Sequence, residues 1–278
     1  LLCGCGQKSE TAAAAPAQAV TAPAAQSSTA RPVSTGVTPE QFGAKGDGIA
    51  DDLQALQAAM QQASASGRPL ELTAGAVYRF SSCLGLPSGL TIRGNGAVLL
   101  SDIQYHDLKE DRVAVELMKD SDDDRAHDVR LENVTFRAAD SCQANYMLRV
   151  MLARNVEFVG CTFDCEPNEW GRCAADLYGG NENIRFEGCV FRQMTSGASG
   201  GIWVRNWTDR VESRNIRFQN CEFYKSGADE LLAVWGWGGA VRDVVLSGCS
   251  FYETQTQEAL DANHRPAWFI TLGQSGTT

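Results

Sequence analysis

The sequence predicts an all-β protein, a right-handed parallel β-helix closed at its N-terminal end by a short capping helix. Three observations carry the prediction. Five segments can be written beneath one another: DVRLENVTF (128–136), NVEFVGCTF (155–163), NIRFEGCVF (183–191), NIRFQNCEF (215–223) and DVVLSGCSF (243–251). A further apolar stretch follows each of them. One glycine-rich turn and one amphipathic pattern stand in front of the whole series.

In chain order, the first residues are LLCGCGQ, and Leu2-Cys3-Gly4-Cys5 resembles the lipobox of bacterial lipoproteins, with a small residue just before a lipid-acceptor cysteine. On that resemblance residues 1–4 are a signal-peptide remnant and Cys5 is the lipidated N-terminus. The expected location is then the bacterial cell envelope, at the outer membrane on its periplasmic or surface side. A signal peptide cut elsewhere is the alternative. Up to residue 36 the chain is mostly Ala, Pro, Ser, Thr and Gln, a composition that buries too little surface to offset ordering entropy. Residues 5–36 are therefore expected to be a flexible tether, and residues 37–278 one domain.

The cap comes next, over residues 37–68. In FGAKGDGIADDLQALQAAM the glycines predict a tight turn, Asp51 an N-cap, and Leu53, Leu56 and Met60 one buried helical stripe that stops at Ser66-Gly67. A solenoid leaves its first coil open to solvent and to edge pairing, and this helix is what covers it. LELTAGAVYRF and LTIRGNGAVLL follow as strand-and-turn material.

The repeats have periods of 27, 28, 32 and 28 residues. Each has alternating apolar positions, then Asn133, Gly160, Gly188, Asn220 or Gly248, then a second alternation ending in Phe. Asn and Gly tolerate left-handed backbone angles, so each unit reads as strand, sharp bend, strand. Like stacks on like: Val134, Cys161, Cys189, Cys221 and Cys249 form one interior row, the five phenylalanines another. YMLRVML, AADLYGG, GGIWVRN, ELLAVWG and AWFITLG supply a third strand per coil. Helical repeats need longer amphipathic helices and propeller blades need hairpins, so neither fits. The stacked cysteines are expected to be buried thiols. A local bridge between Cys165 and Cys173 is compatible with their spacing, and with no histidine nearby no metal site is expected.

The chain carries 24 Lys and Arg against 34 Asp and Glu, a net charge of −10. That balance offers no basic field to a nucleic-acid partner. No run approaches the roughly 18 apolar residues of a membrane span, so membrane association is expected only through the lipid on Cys5.

FGAKGDGIADD with its helix, and the later IRGNGAVL, resemble the opening of the pectate-lyase-like β-helix superfamily, which includes polygalacturonases, pectate lyases and phage tailspike depolymerases. The resemblance implies a polysaccharide partner lying along the outer face of the third-strand sheet. With Ile202 and Val204 inward, Trp203 and Arg205 face out; with Leu232 and Val234 inward, Ala233 and Trp235 face out. Arg149, Asp176 and Tyr178 join them by the same alternation. Trp203, Trp235, Tyr178 and Arg149 are thus the candidate substrate-binding residues, because sugar rings stack on aromatic faces while hydroxyls need polar partners. Coverage of the tryptophans by loops is the alternative.

For the chemistry, SGADELLAV resembles the polygalacturonase segment in which a GDD precedes an apolar strand, which places Asp229 and Glu230 at the acidic positions. The chain departs from that pattern at Ser199-Gly200-Gly201, where the family has an acid, and at Trp268, near the family's histidine; His264 lies four residues away. A lyase would instead use Arg149 or Arg205 with Asp176 and a calcium ion, for which Asp122–Asp124 are candidates; otherwise no cofactor is implied. The candidate catalytic set is Asp229, Glu230, Arg205 and Asp176. The expected function is a surface-tethered protein that cleaves a glycan as lyase or hydrolase. The alternative is a non-catalytic glycan-binding or scaffold protein.

Overall fold

In the computed structural model the described residues are 36–104, 113–118, 125–164, 173–194, 201–206, 212–225, 230–237, 239–253 and 268–275. Cys5, the tether up to residue 35, Asp122–Asp124, Cys165, Asp229 and His264 lie outside them. The described residues form a parallel β-helix of three sheets with seven, eight and seven strands. The first sheet comprises Leu70–Glu71, Thr91–Arg93, Ala126–Glu132, Ala153–Val159, Glu182–Glu187, Ser213–Gln219 and Val241–Ser247. The second comprises Asp47–Asp51, Val77–Phe80, Val98–Ser101, Thr135–Ala138, Thr162–Asp164, Val190–Met194, Glu222–Lys225 and Ser250–Glu253. The third comprises Leu84–Gly85, Val113–Met118, Tyr146–Met151, Cys173–Tyr178, Ile202–Asn206, Glu230–Trp237 and Trp268–Ser275. No helix among the described residues is long and apolar enough to cross a membrane.

The predicted bends are real: Asn133, Gly160, Gly188, Asn220 and Gly248 all have φ between 51° and 64°. A second left-handed position per coil was not predicted. Asp128, Asn155, Asn183, Asn215 and Asp243 sit at φ 54–57°. Asn155 donates to Asp128 at 2.8 Å, Asn183 to Asn155 at 3.0 Å and Asn215 to Asn183 at 2.6 Å. This external amide ladder satisfies groups that a bent strand leaves exposed.

Strict register makes the core. Phe136, Phe163, Phe191, Phe223 and Phe251 stack with centroids 4.8–5.0 Å apart and planes within 11°. Phe158, Phe186 and Phe218 form a second stack at 4.7 and 4.9 Å. Aromatic pairs of this kind contribute about 0.5–1.5 kcal/mol each beyond their burial. Cys161, Cys189 and Cys221 are buried, unbridged thiols, each directed at a carbonyl of the preceding coil, those of Leu131, Phe158 and Phe186. In the last coil the same rows open. Val244, Leu246, Cys249 and Phe251 are only partly buried, where Ile216, Phe218, Cys221 and Phe223 are fully so.

The N-terminal end is covered as expected, with one correction. The helix spans Leu53–Ser66, buries Leu53, Leu56 and Met60, and ends at Gly67 with φ 63°. Its N-cap is Asp52, not Asp51, and the Asp52 side chain does not cap the helix. Its carboxylate instead accepts from the Lys45 and Gly46 amides at 2.7 and 3.0 Å, which clamps the glycine turn. Asp51 meanwhile accepts from the Leu53 amide. Gly94 in IRGNG is required by contact: a Cβ there would stand 2.3 Å from the Asn133 carbonyl oxygen.

Candidate functional site

On the third sheet the alternation follows the predicted parity. Leu148, Val150, Leu177, Ile202, Val204 and Leu232 are fully buried in the core. Two outward files remain. Glu116, Arg149, Asp176, Trp203 and Ala233 are successive rung partners, and so are Tyr178, Arg205 and Trp235. Trp203, Tyr178 and Trp235 are half-buried, and Ala233, expected outside, is covered to 2% exposure.

Asp176 lies under this strip rather than on it, at 0% exposure. Arg205 binds it in a fork, Nε to Oδ1 at 2.7 Å and Nη2 to Oδ2 at 2.8 Å. Arg149 adds Nε to Oδ2 at 3.2 Å. A carboxylate in water would pair loosely with one cation; sealed in the strip, it is held by two. The guanidinium carbon of Arg205 is 4.3 Å from the Trp203 ring centre, 5.0 Å from Tyr178 and 5.9 Å from Tyr146. Arg149 lies 4.5 Å over Tyr146, whose ring meets Trp203 edge-on at 6.1 Å. Burial alone would lower the Arg205 pKa, yet the Asp176 bonds and charge outweigh it and hold the guanidinium above its ordinary value. Burial likewise pushes the Tyr146 phenol up.

Asp176, expected on the outer strip as a catalytic group, is instead fully buried with both oxygens taken by the arginines, a place that suits anchoring them better than delivering a proton. With both oxygens engaged by guanidinium donors it is also unfit as a calcium ligand. Among the described residues no three His, Cys, Asp or Glu side chains converge as a metal site. Glu230 opens its strand two residues before Leu232, as Tyr146 opens its own two residues before Leu148. The Glu230 side chain, like Asp229, lies outside what is described. Sequence reasoning missed Tyr146 and Glu116. Both were visible, Tyr146 in YMLRVML and Glu116 in the alternating VAVELM, but nothing in spacing says that a strand-opening tyrosine folds back over the outer face. Glu116, beside Arg149 in register, accepts from the Cys83 thiol at 3.5 Å, and burial followed by Glu116 pushes that thiol to about 12. A cavity of about 520 Å³ lies elsewhere, between Val234, Val241 and Leu272, and among the described residues no carboxylate lines it.

The family described as rhamnogalacturonase A/epimerase, pectate lyase-like, matches residues 37–250. No curated protein matches the sequence. Solved structures share the fold. ORF18 of Geobacillus virus E2 is 16% identical with a TM-score of 0.63, over 86% of this chain and 48% of its own. PfbA, a surface protein and adhesin of Streptococcus pneumoniae, is 17% identical with a TM-score of 0.58, over 76% of this chain and 61% of its own. The tailspike protein of E. coli bacteriophage HK620, solved as a mutant with a pentasaccharide, is 14% identical with a TM-score of 0.51, over 86% of this chain and 50% of its own. The chain thus spans about half to three-fifths of the structures it resembles.

Proposed function

The chain belongs to the rhamnogalacturonase A/epimerase, pectate lyase-like family, and from that premise we propose that it binds a polysaccharide along the outer face of the third sheet. The observation that carries the reading is the locked strip, in which Arg149 and Arg205 are fixed by buried Asp176 among Tyr146, Tyr178 and Trp203. Rings supply stacking faces, and guanidiniums held in place supply donors to hydroxyl or carboxylate oxygens at little entropic cost. The pentasaccharide carried by the HK620 tailspike is consistent with such a ligand on this fold.

Cleavage of the bound chain is the second reading, favoured by the place of Glu230 at the edge of the strip. Asp229 and Glu230 then supply the carboxylates of a hydrolase; Arg205, held protonated by Asp176, offers a positive charge to a uronate carboxylate rather than the base of a lyase. The deciding experiment is a panel of acidic and neutral polysaccharides, followed by affinity electrophoresis, absorbance at 235 nm and reducing ends. Trp203→Ala and Trp235→Ala are each expected to weaken binding by about 1–3 kcal/mol, as for other stacking platforms. Glu230→Gln is expected to spare binding and abolish turnover. Binding without turnover in the intact chain leaves a glycan-binding protein, and the absence of both overturns the proposal. The same proposal places the chain at a bacterial envelope through a lipid on Cys5, so that Cys5→Ser releases it from membranes.

A further inference from the structure

Cys161, Cys189, Cys221 and Cys249 occupy the same place in four successive coils, each just after a bend, at Gly160, Gly188, Asn220 and Gly248. The residues that follow them are ladder partners in turn: Thr162 with Val190, Val190 with Glu222, and Glu222 with Ser250. At 2.9 Å the Val190 amide donates to the Cys161 carbonyl, that of Glu222 to Cys189 and that of Ser250 to Cys221. The four thiols share one pose, each directed at a carbonyl of the preceding coil at 3.3–3.5 Å, and none is bridged. They differ in cover. Cys161, Cys189 and Cys221 are fully buried, whereas Cys249 is only partly so. The strands on either side of Cys249, Val241–Ser247 and Ser250–Glu253, stand at the ends of their sheets.

Neighbours in this row stand one strand spacing apart, roughly 4.8 Å between Cα atoms, inside the range of about 4.4–6.8 Å that a disulfide spans. Spacing alone would allow a bridge between any two successive members. Access allows one, because a thiol sealed in the core meets no oxidant. Cys249 is reached from outside, and the sulfur beneath it is that of Cys221. We propose that Cys221 and Cys249 are a dithiol pair that a small aliphatic disulfide, such as oxidised glutathione, closes to a disulfide bond. First the Cys249 thiol loses its proton to water, attacks the reagent and expels one glutathione thiolate, leaving glutathione joined to Cys249. The tripeptide cannot enter the core, so the modified side chain is drawn toward solvent and no longer seals Cys221, whose proton passes to water. The Cys221 thiolate then attacks the Cys249 sulfur, the bond to glutathione breaks, and the second glutathione leaves as thiolate. The pair loses two electrons and the reagent gains them as two thiols. The bridge closes the loop from residue 221 to residue 249, one full coil, and staples the coil whose Val244, Leu246 and Phe251 are least covered to the one before it.

The test uses the full chain, reduced, folded and then incubated with oxidised glutathione. Remaining thiols are blocked with iodoacetamide in denaturant, and the digest is read by mass spectrometry. The expected result is a linked pair of peptides carrying Cys221 and Cys249, released by dithiothreitol, with Cys161 and Cys189 recovered in alkylated form. In Cys221→Ala the glutathione adduct of Cys249 is expected to accumulate, since nothing resolves it. Cys249→Ser, a change at a partly exposed side chain, is expected to leave Cys221 alkylated and without glutathione. Cys189→Ala, on the far side of Cys221, is expected to bridge as the parent does. The parent chain treated in urea is expected to scatter its links toward cysteines close in sequence, because short loops close at least cost. Should Cys221→Ala not fold, the parent and Cys249→Ser decide between them. Glutathione that stays on Cys249 of the parent overturns the proposal, as does an unreacted Cys249. So does a bridge from Cys221 to Cys189, or a pattern of links no different from that in urea.

Discussion

The same three coils carry an Arg–Asp–Arg triplet on each of two faces, and the two triplets behave differently. On the third sheet Asp176 is fully buried, both its oxygens are taken, and Arg149 and Arg205 lie against Tyr146, Trp203 and Tyr178. On the second sheet Asp164 keeps one oxygen without a partner, Arg137 is 44% exposed, and Arg192 extends along its file to Tyr224. Identical residue types in identical order thus give a carboxylate held by two arginines in one place and one held by a single, half-exposed arginine in the other. The cause is what surrounds them. Aromatic rings from the same and neighbouring strands exclude water from Asp176, which strengthens its bonds and makes both arginines necessary to it; Asp164 is 13% exposed and its one bound partner, Arg137, reaches into water, which screens that end of the pair.

The comparison is most exposed to the loss of the acid itself. Asp176→Ala leaves two guanidiniums facing one another in a buried site and is expected to cost about 3–5 kcal/mol. In a domain of this size that is on the order of 10 °C in melting temperature. Asp164→Ala is expected to cost about 1 kcal/mol or less. Equal losses in the two variants would erase the distinction. Arg205→Lys keeps the charge but loses the fork, and about 1.5–3 kcal/mol should go with one charged hydrogen bond. Arg192→Lys should stay within about 0.5 kcal/mol, as exposed substitutions do. The smallest effect is the most specific. Raising ionic strength from about 0.01 M to 1 M shortens the screening length from roughly 30 to 3 Å. Urea midpoints measured at both salts should show the penalty of Asp164→Asn fading, while that of Asp176→Asn holds.

Much of the fold was legible because a solenoid writes its core as columns. The bends at Asn133, Gly160, Gly188, Asn220 and Gly248, the phenylalanine row and the thiol row are all one-dimensional patterns, and the structure keeps them. The second bend was equally visible, since the first column of the aligned segments reads Asp, Asn, Asn, Asn, Asp, the residues that tolerate left-handed angles. The charged file of the second sheet was visible too, one position beyond the aligned segments, where the column reads Arg, Asp, Arg, Tyr, Tyr. The burial of Asp176 was not. Alternation tells which side of a strand a residue faces, but its exposure depends on how far the side chains of adjacent coils reach across it. Arg205 and Tyr146 come from strands on either side of Asp176, and no local pattern ties them to it. The choice of Asp52 over Asp51 escaped for a similar reason, because the turn at Lys45 and Gly46 comes back to meet it.

Register stacking also bears on how such a chain changes length over generations. Inside, one coil substitutes for another: excising Arg154 to Asn181 would join Ala153 to Glu182 and seat Phe136 on Phe191, aromatic on aromatic, with the core rows unbroken. Outside, that coil is irreplaceable, since it holds both acids, Asp164 and Asp176. Its loss would set Arg137 against Arg192 on one face and take Asp176 away from Arg149 and Arg205 on the other. Recombination between repeats is therefore permissive for the phenylalanine rows and selective for the charged files, and the surface rather than the core limits where this solenoid can gain or lose a turn.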